Sequence, residues 1–167
     1  DQAIAAQYLL DKKKASQILI LDLDVHQGNG TAAIFESNPK IFTLSVHGAK
    51  NYPFRKEKSD LDIALEDDTG DKKYLGKIKK IIPALIDNIK PDFIFYLSGV
   101  DVLGTDKLGR LNLTVEGCKE RDAFVLKQCN ERNIPLQCSM GGGYSKDIKV
   151  IIEAHANTYR AAKTIYT

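Results

Sequence analysis

The sequence predicts an α/β domain of three layers, in which a mainly parallel sheet lies between two layers of helices. Short apolar runs of strand length alternate along the chain with segments whose apolar residues recur at spacings of three and four. Several of the strand-like runs are apolar on both faces, as strands are when helices cover both sides of a sheet. A length of 167 residues, with 43% apolar and 28% charged residues, fits a single domain over 1–167.

The first half of the chain predicts two strands followed by a long loop. The predicted elements are the end of a helix within 3–12, a strand over 17–24, a helix over about 31–37 and a strand over 40–47. The second strand is rich in β-branched and aromatic residues. The polar segment 48–70 then predicts a long loop, and such loops in compact domains are usually functional or disordered.

The second half predicts two more strands and three helices. Leu75 to Ile89 forms an amphipathic pattern, inside which Pro83 predicts a kink or a break. Strands are predicted over 92–99 and 134–140, and a helix between them begins near Thr114, a residue suited to an N-cap. The last helix carries a predicted core stripe of Ile148, Ile152, His155, Tyr159 and Ala162.

Composition excludes several classes of function. A net charge of +2, with both signs mixed along the chain, gives no indication of direct nucleic-acid binding. No apolar run approaches the ~18 residues of a membrane span, and no signal peptide is recognisable. Cys118, Cys129 and Cys138 form no CxxC pattern, which favours reduced thiols and a cytoplasmic location. Because the chain begins with Asp1 and its only methionine is Met140, we expect it to be a piece of a longer protein.

Polar residues follow each of the four predicted strands. Since ligands bind outside the carboxyl ends of the strands in such sheets, these residues predict a site at one rim. They are Asp24, His26, Ser45, His47, Asp101 and the segment 141–144.

Asp24, His26 and Asp101 predict a metal site. Asp24 and His26 lie two positions apart on an extended chain and so point to the same side, with Asp101 approaching from another strand end. Two carboxylates and one imidazole, with a fourth position open, are typical of catalytic zinc. Gly28 and Gly30 are expected to let the backbone turn closely behind these ligands.

Other interpretations of the same segment stay open. Asp22 and Asp24 could cap the following helix while His26 packs beside it. The glycines could also cradle phosphate, although Ala33 stands where the dinucleotide fingerprint has a third glycine and the acidic cluster would repel the anion.

Three motifs in order resemble the zinc-dependent histone deacetylase superfamily, and Gln27 and the segment 106–114 are most similar to its class IV branch and bacterial relatives. The motifs are DLDVHQGNGT (22–31), SGVDVLGTDKLGRLNLT (98–114) and GGGYS (141–145). The resemblance implies the arginase/deacetylase-like fold without its N-terminal part, an amide hydrolase activity and one Zn²⁺, with K⁺ at a second site.

The resemblance also implies roles for single residues. Asp24, His26 and Asp101 match the zinc ligands, Asp22, Asp24, His26 and Ser45 match a monovalent-cation site, and Asp22 and Asn29 match partners of two catalytic histidines. Tyr144 matches a hydrogen-bond donor to the substrate carbonyl, although a packing role at the start of a helix stays open for it. Gly142, Gly143 and Tyr52 are expected to border the substrate, Tyr52 together with Pro53 and Phe54 as one wall of an acyl channel.

The chain departs from the family in lacking an adjacent His-His pair. Its histidines are His26, His47 and His155. His155 is expected in the core or in a capping role, and His47 at the rim. We therefore expect a zinc-dependent hydrolase of acylated lysine or acylated polyamine that is inactive as this chain alone and associates with its missing N-terminal half or with itself. A non-catalytic metal-binding half-domain and an arginase-like hydrolase with two manganese ions remain alternatives. An arginase-like enzyme would require a carboxylate at position 28, where this chain has Gly28.

Overall fold

The computed structural model describes residues 1–167, which form five strands and five helices. The helices are α1 (Gln2–Asp11), α2 (Asn29–Phe35), α3 (Asp71–Ile89), α4 (Val115–Glu131) and α5 (Ile148–Tyr166). The strands are β1 (Ile18–Asp22), β2 (Ile41–Gly48), β3 (Leu61–Leu65), β4 (Phe93–Gly99) and β5 (Leu136–Gly141).

The five strands make one sheet in the order β3-β2-β1-β4-β5, and every pairing is parallel. β1 lies at the centre, where its last residue, Asp22, stands opposite Ser45 of β2 and Leu97 of β4. The carboxyl ends of the three central strands therefore meet at one edge of the sheet, as the predicted rim requires.

Alternate residues of β1 enter two separate cores, which confirms the three-layer arrangement. Leu19 and Leu21 belong to a large cluster with apolar residues of α3 and α4. Ile18 and Ile20 point the other way, into a small cluster with Ala6 of α1 and Phe35 of α2. Because both faces of β1 are covered, all five of its residues are buried.

β3 lies inside the segment predicted as a loop, so the prediction of an unbroken loop over 48–70 is wrong. Leu61, Ile63 and Leu65 face the domain, while Asp62 and Ala64 between them are exposed. β3 is an edge strand that pairs only with β2. An edge strand with one solvent-exposed face shows only a short alternation of apolar and exposed residues. The charged residues on either side of β3 make this alternation hard to recognise in the sequence.

Pro83 does not break its helix, since α3 runs continuously over Asp71–Ile89. Ile78, Ile82 and Ile86 are buried on one face of α3, and this packing holds the helix together across the missing proline N–H. Thr114 caps α4 as predicted, accepting a hydrogen bond from the N–H of Gly117. None of the five helices combines the length and apolarity that a membrane crossing requires.

The predicted core stripe of α5 is wrong for most of its members. Ile148, Ile152 and Tyr159 are 61%, 60% and 50% exposed, although His155 is buried as expected. The face that packs on the domain consists of Ala154, His155, Asn157, Thr158 and Ala161. The spacing of apolar residues identifies an apolar face of a helix, but it does not show whether that face packs against the domain. We call Ile148, Ile152 and Tyr159 the bare face of α5.

Candidate metal centre

The three predicted ligands converge at the ends of two neighbouring strands. Asp24 and His26 follow β1, and Asp101 follows β4, and their ligand atoms all lie within 4.8 Å of one another. His26 Nδ1 is 3.1 Å from Asp24 Oδ1 and 3.2 Å from Asp101 Oδ2. The side chains of Asp101 and Asp24 are 2% and 13% exposed and that of His26 is 30% exposed, so the cluster is closed toward the core and open on the side of His26.

These distances fit a tetrahedral cation. Ligand bonds of about 2.0–2.1 Å to a zinc ion place neighbouring ligand atoms about 3.3–3.4 Å apart. The two separations from His26 Nδ1 are only slightly shorter. The third separation, between the two carboxylates, is within 4.8 Å, so one cation can reach all three side chains, and the open side leaves room for a fourth ligand.

Backbone N–H groups fix the carboxylates. Asp22 Oδ1 accepts a hydrogen bond of 3.0 Å from the N–H of Asp24, and Asp24 Oδ1 accepts one of 2.9 Å from the N–H of His26. Asp101 Oδ1 accepts one of 3.0 Å from the N–H of Val25, which ties the end of β4 to the end of β1. The backbone of the segment 24–26, which bears two of the ligands, thus also orients the carboxylates.

Burial and like charge make this cluster a place that attracts a cation. Burial, followed by the charge of Asp24, raises the pKa of Asp22 well above its usual value. Burial also raises the pKa of Asp101, against the opposing hydrogen bond from His26. Hydrogen bonds to Asp101 and then to Asp24 raise the pKa of His26 to about 10. Without a metal, a proton on His26 offsets the carboxylates; a divalent ion would take over that role and release the proton.

Two glycines permit the close approach of strand ends to the ligands. A Cβ on Gly99 would lie 2.6 Å from Cα of Asp24, and one on Gly142 would lie 2.5 Å from Cγ of Asp101. Gly142 also has a φ of +69°. A Cβ on Gly28 would lie 2.4 Å from Asp22 Oδ2, so a close approach occurs at Gly28 as predicted. Gly30 has open space around it, so the steric reason predicted for Gly30 is wrong.

Ser45 and Asn29 lie on the β2 and α2 side of the cluster. Ser45 is 2% exposed, and its Oγ lies 3.0 Å from His47 Nδ1 and 3.4 Å from the N–H of Gly28. His47 lies near the carboxyl end of β2, at the rim as expected, and its side chain is buried there. Asn29 is the first residue of α2, and its N–H donates to the carbonyl of Gln27.

Gly143 and Tyr144 lie on the loop that follows β5, and Tyr52 lies on the loop that follows β2. The N–H of Tyr144 donates to Asp106 Oδ2 at 2.7 Å, which fixes its backbone while its side chain is exposed. Gly143 has a φ of +115°. Tyr52 is exposed and, with Phe54, lines a cavity of about 380 Å³ that His26 also lines.

Two buried polar residues near the cluster, Gln27 and Arg121, are not among the predicted site residues. Gln27 is 3% exposed, and its amide donates to the carbonyl of Glu57 and to Asp62 while accepting from the N–H of Glu57. It therefore anchors the loop that carries Tyr52. Arg121 is fully buried on the core face of α4, and the available signal was a charged residue at helical spacing between the apolar Cys118 and Val125.

Comparisons with known proteins agree with the motifs. The model of the histone deacetylase domain matches residues 1–159. An uncharacterized protein of Picosynechococcus sp. is 41% identical over 99% of this chain and 55% of its own length. Histone deacetylase 2 of Arabidopsis thaliana is 29% identical over 96% of this chain and 42% of its own length. The chain thus spans about half the length of these relatives.

A solved structure shares the fold. The acetylpolyamine aminohydrolase of Burkholderia pseudomallei superposes with a TM-score of 0.81 at 19% identity, over 98% of this chain and 49% of that one. At that identity the likeness bears on the fold alone.

Proposed function

The chain belongs to the histone deacetylase family, and on that premise we propose that it carries the metal-binding part of a zinc-dependent amide hydrolase. The substrate is an acylated amine, with acetyl-lysine in a peptide ahead of an acylated polyamine. The observation that carries the proposal is the convergence of Asp24, His26 and Asp101 with one side open. A bound zinc ion supplies Lewis acidity to the acyl carbonyl and lowers the pKa of water.

The chain's own residues supply binding and orientation. Asp24, His26 and Asp101 hold the ion, and Asp22 and Asn29 orient proton-transferring histidines that this chain does not contain. Tyr144 donates its hydroxyl proton in a hydrogen bond to the carbonyl oxygen as negative charge develops there. Its exposed side chain on a backbone held by Asp106 supports this role, because the ring is free to turn toward the opening.

We also propose a monovalent-cation site, suited to K⁺, behind the zinc site. Asp22 and Ser45 stand opposite each other on β1 and β2, and both are buried. Asp24 and His26, in the segment that follows Asp22, are proposed as further ligands of this cation. A buried carboxylate with a raised pKa supports the assignment, since a cation would keep it ionised.

Substrate contacts are assigned to the loops around the opening. Tyr52 and Phe54 are 62% and 88% exposed and pack edge to face with ring centroids 6.3 Å apart. They offer apolar wall area beside His26 for the stem of an acylated side chain. Gly142 and Gly143 have positive φ and let the backbone pass close to the ligands on the opposite side.

One metal is favoured over the two of an arginase-like enzyme. The position that would supply a further carboxylate is Gly28, and the group able to hold a metal consists of three residues only. Anomalous diffraction from zinc-loaded crystals should show a single ion with bonds of ~2.0–2.2 Å to the three side chains. Two ions ~3.5–4 Å apart would replace the proposal with the dinuclear one.

Substitution of Tyr144 tests the hydrolase itself. In the full gene product, Tyr144→Phe should lower kcat toward an acetyl-lysine peptide by ~10²–10³ and leave zinc content unchanged. Tyr166→Phe, on the far end of α5, is the matched control and should keep wild-type turnover. Wild-type turnover in Tyr144→Phe would remove this tyrosine from the reaction.

The bare face of α5 and the edge of β5 are proposed to bind further strands and helices of the same domain. β5 pairs on one side only, and Met140 at its end is 58% exposed. Relatives about twice as long as this chain supply the length for such elements. The chain alone should then self-associate and be inactive, which size-exclusion chromatography and a deacetylation assay would show. A monodisperse, fully active monomer would contradict this and leave the bare face without an occupant.

A further inference from the structure

Arg121 links the two strand ends that bear the metal ligands. Its Nη1 donates to the carbonyl of Leu23 at 3.1 Å and to the carbonyl of Gly99 at 2.7 Å. Leu23 directly precedes Asp24, and Gly99 lies two residues before Asp101. One guanidinium group thus spans the ends of β1 and β4 from inside the core.

The charge of Arg121 is balanced within the same buried network. Its Nε donates to Asp122 Oδ1 at 2.8 Å, and both side chains are fully buried. Asp122 accepts two more hydrogen bonds, of 2.5 Å from the hydroxyl of Tyr96 and of 2.6 Å from Thr158 Oγ1. The network therefore joins α4 to β4 and α5.

Stability alone is a weak reason for placing this ion pair in the core. A buried pair loses the solvation of both charges, and well-packed apolar side chains of similar size often stabilise a fold equally well. No apolar side chain, however, can donate to the carbonyls of Leu23 and Gly99 together. That bridging is the distinctive contribution of the guanidinium group, whose donors stand in a rigid fork.

We propose that Arg121 is a positioning residue that sets the distance between the Asp24–His26 segment and Asp101, and so the affinity of the metal site. The inference rests on the proposed zinc function. At the ligands themselves, the two segments are linked on the ligand side by the hydrogen bond from Val25 to Asp101 and by the contact of His26 Nδ1 with Asp101 Oδ2. Arg121 links the two segments from behind the ligands, and attachment on both sides fixes a separation that attachment on one side leaves free to vary.

The test compares Arg121→Lys with Tyr96→Phe in the full gene product. Lysine keeps the positive charge beside Asp122 but cannot reach Asp122 and both carbonyls in one geometry. Tyr96→Phe removes one hydrogen bond from the same buried network and leaves the carbonyls of Leu23 and Gly99 paired. The readouts are thermal stability, the dissociation constants for Zn²⁺ and Co²⁺, and the visible spectrum of the Co²⁺ form.

Arg121→Lys should weaken metal binding by ~10–100-fold, as loss of residues that orient ligands does, and should alter the Co²⁺ spectrum. Tyr96→Phe should lower thermal stability yet bind both metals within about twofold of wild type, because its lost bond is not at the strand ends. Equal metal loss in both variants, or wild-type affinity in Arg121→Lys, would overturn the positioning role.

A double variant covers failure of Arg121→Lys to fold. Arg121→Met with Asp122→Leu removes both charges together, which a core tolerates better than one unpaired charge. A folded double variant with weakened metal binding supports the role, and one with wild-type binding refutes it. If wild-type protein itself binds neither metal, the zinc proposal fails, whereas binding by wild type and variant alike removes only the role of Arg121.

Discussion

Gly99→Ala should damage the metal site by steric crowding alone. Gly99 does not have a positive φ, so alanine brings no backbone strain there. The added Cβ would lie 2.6 Å from Cα and from Oδ2 of Asp24, and 2.9 Å from Asp101 Oδ1. Because the nearest carbon, Cα of Asp24, belongs to the backbone just after β1, rotation of a side chain cannot relieve this clash.

The size of the effect follows from the overlap. Unstrained carbon atoms approach to about 3.5–4.0 Å, so the strand ends must separate by roughly 1 Å. Inserting one methyl group into a packed site costs about 1–3 kcal/mol. If the separation is borne by the ligands, that energy corresponds to about 5- to 150-fold weaker metal binding.

Zinc affinity measured by competition with a chromophoric chelator gives this number directly. Gly76→Ala is the matched control, since Gly76 lies exposed on α3 with no atom within 4 Å of a Cβ. The control should keep wild-type affinity and gain about 0.5–1 kcal/mol of helix stability. Wild-type zinc affinity in Gly99→Ala would refute the reasoning that this glycine is what allows the ligand-bearing strand ends to approach each other closely.

Two further predictions concern stability. In urea titrations, Gln27→Glu should lower the free energy of unfolding by about 2–4 kcal/mol. The two hydrogen bonds that the amide donates are lost, and a second carboxylate is placed against Asp62. The control, Gln7→Glu at an exposed position, should change the free energy of unfolding by less than ~0.5 kcal/mol. Burial lowers the pKa of His47 in the folded state; the charge of Asp62 opposes this shift and the charge of Lys56 adds to it. As pH falls, His47 is therefore protonated in the unfolded chain before it is protonated in the folded one. This contribution to stability is present above the unfolded pKa of about 6.5 and is lost below it, at up to about 1.4 kcal/mol per pH unit. His47→Asn should flatten the acid limb of the unfolding free energy below about pH 6.5, and an unchanged limb would show that other groups dominate it.

The centre of the sheet was predictable because burial on both faces leaves a strong trace. β1 and β4 are apolar until the chain reaches the rim, so the change from apolar to charged residues marks both the strand end and the site. β3 was not predictable in the same way, because its exposed Asp62 and Ala64 resemble loop residues. The bare face of α5 was misread since spacing shows that a face is apolar but not whether anything covers it.

The predicted ligands could be grouped from the sequence because a parallel sheet brings the ends of its strands together. What could not be predicted is how those ends are held. Arg121 and Gln27 are polar residues whose partners are backbone carbonyls and N–H groups far away in the chain. A sequence shows the donor at such positions, but its acceptors are defined only once the helix or loop has docked.

The neighbouring positions of β1 and β4 have a consequence for folding. Val25 and Asp101, which bond across the two strand ends, are 76 positions apart in the chain, and α2, β2, β3 and α3 lie between β1 and β4. Contacts of such long range form slowly, since the entropy of closing the loop must be lost before the contact stabilises it. An ion held by Asp24, His26 and Asp101 would close the same loop as a cross-link does, with an entropic stabilisation of about 4–5 kcal/mol on the chain-entropy scale. Metal uptake should therefore report the moment at which β4 joins β1 in a refolding experiment.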